Sequence, residues 1–194
     1  MVSKAAVAAV ADNAASAHRQ GYEHVTIGAV TFNLIERGYC TRFVRQCHEA
    51  ALAVPPFTWK YIAPNAIEME KNLASMGQKV TVPDPGDVVC FNRNSGRNGH
   101  IGIVAGGGYF YENTSSTVRG PGTVKSRFTP ALLDRVTGYY QTLPKEATME
   151  TQPWAREAVK WAVENGLTDG TDLSLEMQRS IVMLWRYHKR FGRA

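Results

Sequence analysis

Gly38-Tyr39-Cys40-Thr41-Arg42-Phe43-Val44-Arg45-Gln46-Cys47-His48-Glu49-Ala50-Ala51-Leu52 is the stretch on which the fold turns. Phe43, Val44, Cys47, Ala51 and Leu52 recur at helical spacing, so the segment predicts a helix with one apolar face. Arg37-Gly38-Tyr39 is a turn signal ahead of it, and Pro55-Pro56 ends it. Cys40 therefore stands at a helix N-terminus. The unpaired amides and the macrodipole there favour an anion, and a thiolate is the form of cysteine that attacks a carbonyl carbon. The plain alternative is a small buried thiol, a common fate of free cysteine. Cys47, on the apolar face, and Cys90, inside a hydrophobic run, read as structural.

Working outward, an Ala- and Val-rich helix is expected from about Ser3 to His18, stopping near Gly21. Residues 22–37 carry no clear period. Downstream, 64–76 predicts a helix with Ala66, Met69, Leu73 and Met76 on one face and Gly77 as its stop. The texture then changes. Pro83-Asp84-Pro85-Gly86-Asp87 is a turn and Val88-Val89-Cys90-Phe91 a short apolar strand. After the polar loop 92–99, a strand at 100–104, a turn at Gly106-Gly107-Gly108 and a strand at 109–112 form a hairpin, with a further strand near 136–140. Helices first and an antiparallel meander afterwards indicate an α+β fold. Residues 141–153 are polar with two prolines and suit a linker. Trp154, Ala158, Trp161 and Ala162 then mark a helix up to Gly166, and 175–191 predicts a second. The expected organisation is a domain over 1–142, a linker over 143–152 and a helical hairpin over 153–194.

His100 opens its strand at the sheet margin, where a cleft can form. A lone histidine there would more often be structural, and it gains meaning from a third group that orients its ring. Glu112 and Asn113 lie across the Gly-rich turn, on a strand running back beside His100. Adjacent strand residues face opposite ways, so only one of them can be the direct partner. His18, His24, His48 and His188 lack such surroundings and read as surface or structural.

These segments resemble a known family. Gly38-Tyr39-Cys40-Thr41-Arg42-Phe43-Val44 is similar to the nucleophile segment of NlpC/P60 and CHAP hydrolases, a cysteine opening a helix and followed by an aromatic-Val pair. Pro85-Gly86-Asp87-Val88-Val89-Cys90-Phe91 resembles their Pro-Gly-Asp strand entry, and Gly99-His100-Ile101-Gly102-Ile103-Val104 their Gly-His strand. The resemblance covers roughly residues 30–115. It implies a papain-like α+β core, a Cys–His–polar triad of Cys40, His100 and Glu112 (Asn113 as the alternative third residue), and cleavage of amide bonds in peptidoglycan. The oxyanion would be held by the Cys40 backbone N–H with support from the Tyr39 hydroxyl. No cofactor and no metal are expected. Asp84 and Asp87 could join a calcium site, but acidic residues at a turn usually cap it, and a dedicated cage needs about six to eight oxygens. The segment from Trp154 to Gly170, with Val182-Met183-Leu184-Trp185-Arg186, resembles an S-layer homology repeat. That likeness implies anchoring to secondary wall polymer, with Trp154 and Trp161 as candidate wall-binding residues, or docking or self-association of a helix pair too small to bury its own apolar face.

Composition narrows the remaining classes. The 194 residues are 44% hydrophobic and 20% charged, with a net charge of +5. That balance favours anionic partners without choosing among them. The basic residues are scattered rather than interleaved with aromatics, which argues against nucleic acid. Three cysteines and no CxxC pair argue against a disulfide framework or a structural zinc, and suit synthesis in a reducing compartment. Asp12 interrupts the apolar N-terminal stretch, so residues 1–17 make a poor signal peptide, and no run is long enough to span a membrane. The expectation is an endolysin-type wall hydrolase made in the cytoplasm and acting on the wall after release. Two readings compete with it: a non-catalytic wall-binding protein, and a cysteine acyltransferase or peptidase with a non-wall substrate.

Overall fold

Small apolar residues at helical spacing set the first element. Helix α1 (Lys4–Arg19) buries Val7, Val10, Ala11, Ala14 and Ala15 along one stripe. The short side chains let its backbone approach the neighbouring layer closely. The computed structural model describes residues 3–76, 78–92, 97–143, 153–168 and 175–191. A hairpin follows α1, β1 (His24–Ile27) paired antiparallel with β2 (Val30–Asn33). It occupies a region without a clear sequence period, because each strand has four residues and β1 is nowhere fully buried.

Helix α2 (Cys40–Leu52) and helix α3 (Ala66–Ser75) come next. Asn65 caps α3 by accepting from the Glu68 N–H at 2.9 Å. Met76 was expected on the apolar face of α3 but is 53% exposed, because the helix has already ended at Ser75. Gly77, its expected stop, lies outside the described residues.

The sheet is built from β3 (Lys79–Val80), β4 (Val88–Cys90), β5 (Ile101–Gly106), β6 (Tyr109–Thr114), β7 (Gly122–Arg127) and, after the short helix α4 (Pro130–Leu133), β8 (Gly138–Tyr140). The order is β3-β8-β4-β5-β6-β7 with every neighbouring pair antiparallel. Strand β7 was not expected, and β6 runs two residues further than the sequence suggests. The fold is α+β with a papain-like arrangement of helices on an antiparallel sheet.

Both sheet faces are covered. Alternation along β4 to β6 sends Val88, Ile101, Ile103 and Tyr111 into the main core with α1, α2 and α3, and Val89, Val104 and Phe110 into a second core with Phe91 and Leu132. The turn before β4 is locked onto α1. Lys4 Nζ sits 2.8 Å from Asp84 Oδ2 and 3.2 Å from Asp87 Oδ1, and the Asp84 N–H donates to Asp87 Oδ2 at 2.7 Å. The two carboxylates of this turn are thus engaged with a buried lysine. Gly86 lies in this turn at φ +93°, and a Cβ there would fall 1.8 Å from the Lys4 carbonyl oxygen, so only glycine allows the approach.

The chain divides into two compact units, Met1–Lys145 and Glu146–Ala194. In the second, a 3-10 turn (Pro153–Ala155) leads into α5 (Arg156–Glu164), which packs on α6 (Leu175–Phe191) through Ala155, Ala158, Val159 and Val182. Most of the expected linker, 144–152, lies outside the described residues.

Candidate active site

The start of α2 breaks a local rule. Helices commonly open on a side-chain cap, yet Tyr39 at the N-cap makes no capping hydrogen bond. The first helical bond joins the Phe43 N–H to the Tyr39 carbonyl, leaving the Cys40 N–H without an intrahelical acceptor. The turn is instead held from the sheet. Asn113 Oδ1 accepts from the Tyr39 N–H at 2.8 Å, and Asn113 Nδ2 donates to the Glu36 carbonyl at 2.7 Å. Tyr39 itself is half exposed, with the Arg42 guanidinium stacked 4.0 Å from its ring centroid. Glu36 pairs with Arg42. The Tyr39 hydroxyl makes no hydrogen bond among the described residues.

His100 precedes β5. Its backbone N–H donates to Asn92 Oδ1 at 3.0 Å, and Asn92 Nδ2 donates to Glu70 Oε2 at 2.6 Å. Glu70 also accepts from Thr137 Oγ1 at 2.8 Å and from the Tyr140 hydroxyl at 2.9 Å. One carboxylate thereby ties α3, the end of β4 and β8 to the His100 backbone. Gly99, at φ +67°, is required beside it, since a Cβ would sit 1.9 Å from Asn92 Oδ1.

The ring of His100 is gripped from the sheet as well. Its Nε2 lies 2.6 Å from Glu112 Oε2. The observed register pairs Ile103 with Tyr111, which continues to place Glu112 opposite Gly102 and diagonal to His100. Gly102 lets the two strands close up here, since a Cβ would fall 2.6 Å from the Tyr111 carbonyl oxygen. Glu112 is fully buried and accepts also from Arg119 Nε at 2.7 Å, Arg119 Nη2 at 3.2 Å and Ser126 Oγ. Burial alone would push its carboxyl up, but the His100, Arg119 and Ser126 contacts outweigh it and hold the pKa at about 2. For His100, burial works to lower the pKa, while hydrogen bonding and charge from Cys40 and Glu112 raise it to about 9. With Nε2 on Glu112, Nδ1 is the ring nitrogen left for the Cys40 thiol.

Cys40, His100 and Glu112 therefore share one constellation, and Asn113 points away from it toward the turn before α2. Residues 30–115 match the CHAP domain. No curated protein matches the chain. CHAP domains are typically cysteine- and histidine-dependent hydrolases of peptidoglycan, so the match supports a peptidoglycan hydrolase domain of the CHAP and NlpC/P60 type. The CHAP match covers somewhat under half of the chain. It contains Cys40, His100, Glu112 and Asn113, whereas Arg119 and Ser126 lie beyond it.

The other thiols and imidazoles sit apart from this chemistry. Cys47 and Cys90 are fully buried, and burial pushes both thiols up. His48 is held neutral by burial, its pKa lowered to about 4, with Nε2 2.6 Å from Thr142 Oγ1 and the ring stacked on Trp59. In the second unit Trp154 is half exposed, and the Trp161 ring lies 5.1 Å from that of His188. Among the described residues no group of three or more His, Cys, Asp or Glu side chains could hold a metal ion. No helix among them is long and apolar enough to cross a membrane.

Arg119, Ser126 and the Glu70–Asn92 link join the site without a motif to mark them. A faint signal existed for the first. Arg119 stands at the foot of Gly120-Pro121-Gly122, a turn that returns the chain beside the Glu112 strand.

Proposed function

We propose that this protein hydrolyses an amide bond of peptidoglycan, with Cys40 as nucleophile, His100 as the proton carrier and Glu112 as the group that orients and charges the imidazole. What carries the reading is the imidazole held on Nε2 by a buried carboxylate at 2.6 Å, with Cys40 beside Glu112 among the groups that raise its pKa. With its pKa near 9, His100 is protonated at neutral pH and sits as an imidazolium beside the sulfur. The thiolate adds to the amide carbonyl carbon, and the oxyanion is held by the Cys40 N–H with the Tyr39 hydroxyl as a second donor. His100 gives its proton to the departing amine as the C–N bond breaks. Water, losing a proton to His100, then attacks the acyl carbon and releases the carboxylic acid and the Cys40 thiolate.

Digestion of purified peptidoglycan followed by mass spectrometry identifies the bond. Free stem peptides with a new N-terminal amine would mark an N-acetylmuramoyl-L-alanine amidase. Cut stems or cross-bridges would mark an endopeptidase. Walls recovered with no new amine after prolonged digestion would remove the reading.

Asn113 serves as a positioning residue in this scheme, since it fixes the backbone on which Cys40 rides. Asn113→Ala is expected to lower kcat about tenfold, within the range reported for misplaced reacting groups, with little change in KM. The alkaline limb of the pH profile should stay where it is, because Glu112 still holds His100. A shifted limb would mean that Asn113 acts on the imidazole instead.

A further inference from the structure

A cavity of about 510 Å3 opens in the first unit between the C-terminal half of α1 and the segment from Arg119 into β7. Its volume lies within the range of sites that take small ligands. Arg19, Arg119 and Lys125 line it, with His18 and Asp12 beside them. The charges are not balanced within the protein. Arg19 donates to Ser16 Oγ at 3.2 Å, and among the described residues no carboxylate pairs with it. The nearest carboxylate to Lys125 is Asp12 at 3.9 Å, and that same Asp12 oxygen already accepts from the Tyr111 hydroxyl at 2.7 Å. Arg119 places Nε and Nη2 on Glu112 and Thr114, so its Nη1 edge has no acceptor among the described residues. Three cations thus border one concavity that holds a single, already engaged carboxylate.

The wall is shaped as well as charged. His18 Nδ1 is 2.7 Å from the Thr123 carbonyl, which anchors the end of α1 to β7. Gly122 lets the two approach, since a Cβ there would come 2.8 Å from the His18 ring. A guanidinium fork, a second guanidinium edge and an ammonium around one concavity suit the tetrahedral oxygens of a phosphate ester better than the flat edge of a carboxylate.

We infer that this cavity is a binding site for phosphate-ester groups, held by Arg19, Lys125 and the unused edge of Arg119. The site does not depend on the Cys40 chemistry, although Arg119 connects it to Glu112. The same chemistry could be offered by a phosphodiester wall polymer or by a free polyol or sugar phosphate.

The test is amide shift mapping on the full-length protein, titrated separately with glycerol 3-phosphate, a poly(glycerol phosphate) chain, inorganic phosphate, acetate and glycerol. Saturable shifts from glycerol 3-phosphate below about 10 mM, centred on 12–19 and 119–125, are expected, with none from glycerol and weaker ones from acetate. Tighter binding of the chain per phosphate points to the polymer as the source, and equal binding points to the free ester. The pair Arg19→Gln and Lys125→Gln should weaken binding at least about tenfold, while Arg19→Lys with Lys125→Arg should retain it. Absence of saturable shifts in the wild type, shifts scattered over surface lysines elsewhere, or unchanged affinity in the folded double Gln variant would each overturn the site. If that variant does not fold, the wild-type map alone decides.

Discussion

Cys40→Ala should reduce the release of new amines from purified peptidoglycan at least about a thousandfold under the proposed mechanism, in which no acyl-enzyme forms without the sulfur. The fold should survive. The change deletes one small side chain at the first residue of α2, and the elements that hold that turn (Asn113 on Tyr39 and Glu36, Arg42 on the Tyr39 ring) make no use of the thiol. Melting within a few degrees of wild type is therefore expected, with circular dichroism unchanged. Cys47→Ala is the matched control. It lies seven residues along the same helix, fully buried, with its thiol pushed up by burial, so its loss should cost stability and leave the rate per folded molecule alone. If the Cys40 variant kept even a tenth of the wild-type rate while folded, another group would have to be the nucleophile.

The parts of this site that could be read in the sequence are those set by local rules. A turn signal, an apolar period and a proline stop locate α2 and its first residue, and all three act within about twenty positions. The Gly106–Gly108 turn fixes a hairpin, and strand parity then separates Glu112 from its neighbour. Parity could not say which of the two meets His100, since that depends on which face each layer covers. Phe110 and Glu112 face one way, and Glu112 meets the imidazole. Tyr111 and Asn113 face the other, toward α1 and the turn before α2. What stayed illegible is long-range. The contacts of Glu70 with Tyr140 and of Lys4 with Asp87 join residues 70 and 83 positions apart, and no local pattern announces them. The β1–β2 hairpin escaped for a different reason: its strands are short, and β1 is partly exposed. Strand β7 is longer, but only half of it is fully buried, so its alternation is weak.

Glu112→Gln is expected to lower kcat by about a hundred- to ten-thousandfold, the range seen when the group orienting a catalytic imidazole loses its charge. The amide cannot repeat the carboxylate's role. It offers one acceptor oxygen where two oxygens now accept from His100, Arg119 and Ser126, and its NH2 must face at least one group that also donates. The first consequence is a pH effect. Glu112 helps raise His100 to about 9, so the wild-type rate should fall as pH climbs through that value and the ring gives up its proton. In the variant the limb should move to lower pH. The second consequence is a stability difference with a definite pH shape. The folded Glu112 pKa is depressed to about 2 from 4.5, so its contribution is present above pH 4.5 and is lost as pH falls toward 2. The His100 pKa is raised from 6.5, so its contribution is complete below pH 6.5 and is lost as pH rises through about 9. The variant forfeits the Glu112-dependent share of both. The gap in unfolding free energy between wild type and variant should thus be widest between pH 4.5 and 6.5, and narrow on either side. Its maximum should be near 3 kcal/mol, at the lower end of the roughly 3–5 kcal/mol for breaking a buried pair, because Arg119 retains some access to water. Urea melts at acidic, mid-range and alkaline pH measure it. A gap of constant size across those conditions would show that the carboxylate is held by packing alone and does not set the charge of the imidazole.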